Sequence, residues 1–210
     1  MMRTVGRIAA GGMDLAKDTK ERILAAALEL FAEKGYTGTN IRELAESLGL
    51  GKSSLYRHFT SKEELWNTLL DGMIAYYEEH FGSPEHLPPA PESPEELIAL
   101  TMRMVNFTVY DEKIVMTRKL LQIEQFRDGR ARALATCYFL TGLTEMFTHY
   151  FAGMMEKGIL VPDDPAMLAF AYTMPISALI HLCDREPEKT PEAMVRMEAF
   201  SRHFMKVYGT

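Results

Sequence analysis

Helix-start signals recur along this chain so closely that little room is left for any other regular structure. Asp18 precedes Glu21 by three residues, and Ser61 precedes Glu64 in the same way. A short oxygen-bearing side chain with an acid at that spacing satisfies two backbone N–H groups that a helix start leaves unpaired. Ser93-Pro94-Glu95-Glu96, Asp164-Pro165 and Thr190-Pro191 place a proline at the first helical position, where its missing N–H costs nothing. Gly35, Gly49 and Gly158 stand where apolar stripes stop, as helix terminators do. Between these marks apolar residues return at helical spacing: Ile23, Ala27, Leu30 and Phe31, then Ile41, Leu44, Ala45 and Leu48. No stretch alternates with a period of two, and there is no internal repeat. The chain is expected to be all-α, with about nine helices and no sheet.

Domain limits follow from the same punctuation. Residues 1–17 lack a sustained period and are expected to form a disordered tail, with Arg3 and Arg7 as a basic arm at most. Residues 18–62 should form a compact unit of three helices, the second capped by Thr39. Residues 63–210 should form a helical body. Five prolines from Pro84 to Pro94 inclusive rule out helix over that stretch and predict a connecting loop. One long helix is expected over residues 129–157 and another over 165–184, kinked at Pro175.

Charge is distributed unevenly. Residues 1–62 carry 10 Lys and Arg against 7 Asp and Glu, while the remainder carries 13 against 22, within a chain of net charge −6. Residues 50–62 contain no acid at all. A basic head on an acidic body suits local contact with a polyanion and not general adhesion to one. In the expected third helix Leu55 and Phe59 lie four apart on one face. Ser53, Ser54, Arg57 and His58 then face outward, flanked by Lys52 and Tyr56. Such a helix fits a DNA major groove, where cationic and hydroxyl side chains read base edges. Thr39 and the start of the second helix offer N–H groups to a phosphate, and Lys62 can neutralise another. His58 could equally serve as a packing histidine.

The run Gly35-Tyr36-Thr37-Gly38-Thr39, Ile41-Arg42-Glu43-Leu44-Ala45 and Gly49 through Leu65 closely resembles the DNA-binding head of TetR-family regulators. Its specific core is Leu55, Tyr56, His58, Phe59 and Lys62. The resemblance covers residues 18–70; the rest agrees only in being helical and of suitable length. It implies that Arg42, Lys52, Ser53 and Ser54 meet bases, and that Thr39, Tyr56, His58 and Lys62 meet phosphates. Asn40 and Gly51 depart from the commonest family pattern, which bears on operator identity. The resemblance further implies an effector pocket for an apolar or aromatic small molecule between body helices. Its candidates are Phe107, Tyr110, Phe126, Tyr138, Phe147, Phe151, Tyr172 and His181, residues whose helical spacing also suits ordinary core.

The last two helices carry stripes of small and apolar residues that suggest an oligomer seam: Ala169, Phe170, Thr173, Ile176 and Ile180, then Met197, Phe200 and Phe204. A symmetric dimer would present two reading helices to a palindromic double-stranded operator. The expected function is thus a ligand-responsive transcriptional regulator, a repressor released by its effector. The rival is a DNA-binding dimer without an effector, governed by a protein partner or by expression level. The six histidines show no metal-ligand spacing, and no nucleophile elbow or phosphate loop occurs, so neither catalysis nor a metal or cofactor is expected. Cys137 and Cys183 lie apart in helical pattern and are expected to be reduced, structural thiols. With no signal segment or apolar run of membrane-spanning length, the expected location is the cytoplasm.

Overall fold

The computed structural model describes residues 6–82 and 86–210, with side chains from Asp18 onward. Among the described residues ten α-helices follow one another: α1 Gly6–Gly38, α2 Ile41–Ser47, α3 Lys52–His58, α4 Lys62–Phe81, α5 Pro94–Tyr110, α6 Glu112–Glu124, α7 Gly129–Thr136, α8 Gly142–Glu156, α9 Pro165–Arg185 and α10 Thr190–Tyr208. A π turn, Cys137–Thr141, joins α7 to α8, and counting that rod once gives nine helices. No strand forms among the described residues; Leu160 and Gly209 make an isolated antiparallel bridge.

Most starts are capped as the sequence leads one to expect. Ser93 Oγ accepts from Glu96 N at 3.1 Å, and Pro94 occupies the first turn. Asp111, Asp128 and Asp164 cap α6, α7 and α9 with carboxylate oxygens. Ser61 accepts from Glu64 N, while the Glu64 carboxylate reaches back to the Thr60 N–H and hydroxyl.

Three starts differ. α1 begins at Gly6, so Asp18 and Glu21 lie within it, and residues 6–17, expected as disordered, are helical; residues 1–5 lie outside the described residues. Asn40, not Thr39, caps α2, with Oδ1 accepting from Arg42 N at 2.8 Å. A short 3-10 turn, Pro187–Lys189, leads into α10, and no side chain caps it. Gly35 adopts φ 72°, a left-handed conformation that breaks the regular path of α1 at the point where the sequence predicts its end.

The chain divides into two compact units after Ala75, inside α4, and not at residue 62. In the first, Ile23, Ala27 and Phe31 of α1 pack with Leu44, Leu55, Phe59, Leu65 and Leu70, all essentially excluded from solvent. In the second, one continuous core draws Leu97 and Val105 from α5, Phe147, Tyr150 and Phe151 from α8, Ala169, Tyr172 and Ile176 from α9, and Met197 and Phe204 from α10. Gly153 lets α8 pass close to Ala90: a Cβ there would lie 2.7 Å from the Ala90 methyl. Pro175 sits inside α9 on its exposed side without ending the helix.

Candidate nucleic-acid interface

The reading surface grows out of one buried pair. Leu55 and Phe59 turn into the head core, and that alone fixes which side of α3 faces water. Lys52, Ser53, Tyr56 and Arg57 are exposed, and Ser54 and His58 are half-buried beside them. Lys52 Nζ lies 5.7 Å from the centre of the Tyr56 ring, a cation–π approach that holds both side chains along the helix. No carboxylate belongs to this face, so nothing within α3 competes with a phosphate for its cations. Arg42 on α2 is also exposed, paired with Glu46 through Nε at 2.8 Å. A pair so solvated contributes little, so a base or phosphate can displace it.

Two expected phosphate contacts are placed otherwise. Thr39 is buried, and its hydroxyl donates to Leu30 O at 3.1 Å and Gly35 O at 2.9 Å. Its side chain therefore closes the end of α1 and does not reach outward. Lys62 turns inward as well: its ammonium donates to the carbonyls of Tyr36 and Thr39 and lies 4.4 Å from the Tyr36 ring centre. Both side chains are drawn to backbone carbonyls around the break that Gly35 makes in α1.

The expected effector residues do not converge. Phe147, Phe151 and Tyr172 belong to the packed aromatic core with Phe204, and the Tyr172 hydroxyl shares a 2.9 Å hydrogen bond with Thr101. Tyr110 and Phe126 are exposed, Phe126 at 80%. Phe107 stacks on His80 at 4.2 Å, and Tyr138 stacks on Tyr77 at 4.3 Å. His181 meets Phe139 edge-on and hydrogen-bonds to Gln122. Spacing along a helix identifies an apolar face but not which of several helices that face meets, and these residues belong to different neighbourhoods.

The expected dimer stripe is corrected in the same way. Ala169, Thr173, Ile176, Ile180, Met197 and Phe204 are buried within the chain's own core, and Phe200 is half-buried against it. Phe170 alone of that set is exposed. The outward apolar residues are instead Met167 and Phe170 on α9 and Val195 and Val207 on α10. α9 is apolar on both sides, with mean hydropathy 1.6 over 18 residues and 33% of that window buried. It is long and apolar enough to cross a membrane, contrary to the expectation from sequence.

Several residues near the candidate effector set were missed. Arg118 and Asp184, both almost fully enclosed, form a two-point ion pair at 2.9 and 2.6 Å, and Arg118 also donates to Thr108 O. Burial holds the proton affinity of His181 below its ordinary value against the opposite pull of Asp184. Tyr76, on α4, donates to Asp111 at 2.9 Å with Lys113 lying over its ring. The Tyr138 hydroxyl is the one fully buried side-chain polar atom with no protein partner among the described residues. Burial pushes the Tyr77 and Tyr138 hydroxyls far above the usual tyrosine range. A charged residue within an otherwise apolar period, as at Arg118, was the available signal for the ion pair. Among the described residues no group of histidine, cysteine and carboxylate side chains is arranged to hold a metal ion.

A family model described as bacterial regulatory proteins, tetR family, matches residues 23–69. The probable HTH-type transcriptional regulator ArpR of Pseudomonas putida is 29% identical over 171 residues, covering 75% of this chain and 77% of that protein. The HTH-type transcriptional regulator TtgR, also of Pseudomonas putida, is 28% identical over 171 residues, with the same coverage. SmeT, the repressor of the Stenotrophomonas maltophilia multidrug efflux pump SmeDEF, has a similar fold: TM-score 0.64 at 18% identity, covering 91% of this chain and 90% of that one.

Proposed function

We propose that this chain, which belongs to the TetR family of transcriptional regulators, is a repressor that grips a palindromic operator as a homodimer and lets go when a small apolar or aromatic effector binds its body. It is a DNA-binding regulator and not an enzyme. The observation that carries the operator reading is the acid-free outer side of α3, oriented by the buried pair Leu55 and Phe59. Lys52, Ser53, Ser54, Tyr56 and Arg57 supply donors to base edges and phosphates, with Arg42 beside them on α2. The negative body repels DNA and leaves binding to the head.

The outward apolar residues Met167, Phe170, Val195 and Val207 support self-association through α9 and α10. A symmetric dimer has to present its two reading helices about 34–36 Å apart, one turn of DNA. For the effector, α4 is the physical route: it begins in the head and ends in the body at Tyr76, Tyr77 and Phe81. The aromatic surroundings of Tyr77, Tyr138, Phe107 and His80 favour a planar apolar ligand, and the Tyr138 hydroxyl offers it a polar partner. Release then follows to the extent that the ligand prefers the pose with the wrong head separation. Repression agrees with the function named for SmeT. Work on DNA implies a cytoplasmic location.

Selection of duplexes from a random pool with the full-length protein tests the central claim. A recovered palindrome with half-sites one turn apart is expected; indifference to all duplexes in dilute buffer refutes it. Aromatic compounds that raise the melting temperature and release the recovered duplex separate the effector reading from control by a protein partner.

A further inference from the structure

We infer that the outer side of α6, from the groove beside Lys119 to the projecting ring of Phe126, is a docking surface for an acidic amphipathic helix of a protein partner. Such a surface lies outside the operator and effector readings above and stands or falls without them.

Helical spacing assembles it. Lys119, Ile123 and Phe126 follow one another at single-turn intervals along α6 and the turn that leaves it, and Arg127 adjoins them, so all share one side. Phe126 is 80% exposed, the most open large apolar side chain among the described residues, and Ile123 and Tyr110 are exposed as well. Scattered apolar residues on a surface are ordinary, but a continuous run of them is not. Beside Lys119 the side drops into a groove of about 410 Å³, lined by Val109, Tyr110, Val115, Cys183 and Pro187. The turn that lifts Phe126 is firmly held. Glu124 O accepts from the N–H groups of Arg127 and Asp128, both at 2.9 Å. Asp128 accepts from Ala131 N at 2.7 Å, and Arg132 Nε donates to Gln125 O at 3.1 Å. A ring kept in water on a fixed turn costs little to order when a partner covers it.

Charge selects the occupant. Residues 63–210 carry 13 Lys and Arg against 22 Asp and Glu, yet this side is cationic. Lys119 and Arg127 are exposed and make no ion pair among the described residues. The acids nearby are turned inward: Glu124 is buried, Asp128 caps α7, and Asp184, the one acid in the groove lining, is held by Arg118. Arginine grips carboxylates through paired bonds, and protein interfaces gather aromatic residues and arginine. A duplex would take up the cations but leave Phe126 and the groove wet, and a lipid surface has no knob to fill a concavity. From Val115 to Phe126 the side runs about 16 Å, three turns of a docked helix. The partner's apolar residues meet the groove and Phe126, and its carboxylates meet Lys119 and Arg127.

Selection from a random pool of displayed peptides about 16 residues long, with the full-length protein as bait, puts this to the test. Recovered sequences should set Asp and Glu among apolar residues at helical spacing, and a labelled synthetic copy of one should bind in fluorescence anisotropy. Phe126→Ser, and separately Lys119→Glu with Arg127→Glu, should each weaken that peptide by about tenfold or more with the melting temperature unchanged. Raising salt from about 50 to 500 mM should weaken it on the wild-type protein too. Recovery of no peptide, of peptides without acids, or of peptides that bind both variants as they bind wild type overturns the proposal. A dimer that Phe126→Ser turns into a monomer in sedimentation gives this side to a second copy. Binding to phosphatidylglycerol vesicles that Phe126→Ser abolishes gives it to a membrane. Either result overturns the proposal as well. A wild-type protein that selects peptides but no duplex refutes the operator reading alone.

Discussion

Replacing Asp184 with asparagine should cost the body more stability than any other change of one atom type that its polar groups allow. Asp184 holds Arg118 by two bonds of 2.9 and 2.6 Å, and each side chain is only 6% exposed. Removing one member of a buried pair strands the other charge, typically at about 3–5 kcal/mol. Asparagine keeps the shape and one acceptor, and Thr108 O still receives Arg118, so the loss belongs at the lower end, about 3 kcal/mol. In a chain of this length each kcal/mol moves the melting midpoint by about 2–4 °C, giving a fall of about 6–12 °C. Glu198→Gln is the control. It breaks a pair with Arg202 whose side chains are 61% and 45% exposed, and should shift the midpoint by about 1–2 °C. Thermal unfolding followed by far-ultraviolet circular dichroism measures both. A midpoint for Asp184→Asn that moves no further than the control would refute the reasoning, because it would mean that water reaches the pair. The double variant Arg118→Met with Asp184→Leu should recover much of the loss, since it leaves no charge stranded.

His181 links stability to pH. Burial lowers its proton affinity in the folded chain, with Asp184 pulling the other way and Arg118 and Arg185 adding to the decrease. The unfolded chain therefore takes up that proton first, so the contribution is complete above the ordinary value of 6.5 and is lost as pH falls below it. His181→Gln should flatten the decline in melting temperature between about pH 7 and 5.5, and an unchanged decline contradicts the assignment. Lys52→Ala and Tyr56→Ala should each weaken operator binding by about 1–3 kcal/mol in a gel-shift titration, with melting temperatures unchanged. Met167→Glu with Phe170→Glu places two charges on the exposed side of α9. It should convert a dimer to a monomer in sedimentation without unfolding it; a persistent dimer would place the seam elsewhere.

What the sequence made legible was local. Ser93 and Asp164 act on backbone N–H groups within a few residues of themselves, and each caps the helix it precedes. The face of α3 was legible for a related reason: Leu55 and Phe59 allow one burial, and the polar side follows. Choices between neighbours were not. Thr39 and Asn40 can both cap, and the broken turn at Gly35 claims the threonine hydroxyl for its own carbonyls. Lys62 reads as a surface cation because its partners are carbonyls 23 and 26 residues away. The α9 stripe named as a seam is the stripe that its own core takes, since a helix apolar on two sides does not say which side faces the molecule's interior.

The π turn between α7 and α8 works as a phase shifter. Closing one turn over five residues spends a surplus residue, and each residue in a regular helix is worth about 100° of rotation. Ala131 and Ala135 can then face inward on one bearing, while Phe147, Tyr150 and Phe151 do so on another. One continuous rod thereby serves α6 at its start and α9 at its end. Deleting a single residue from 137–141 would realign the rod with itself and misalign it with one of those two neighbours.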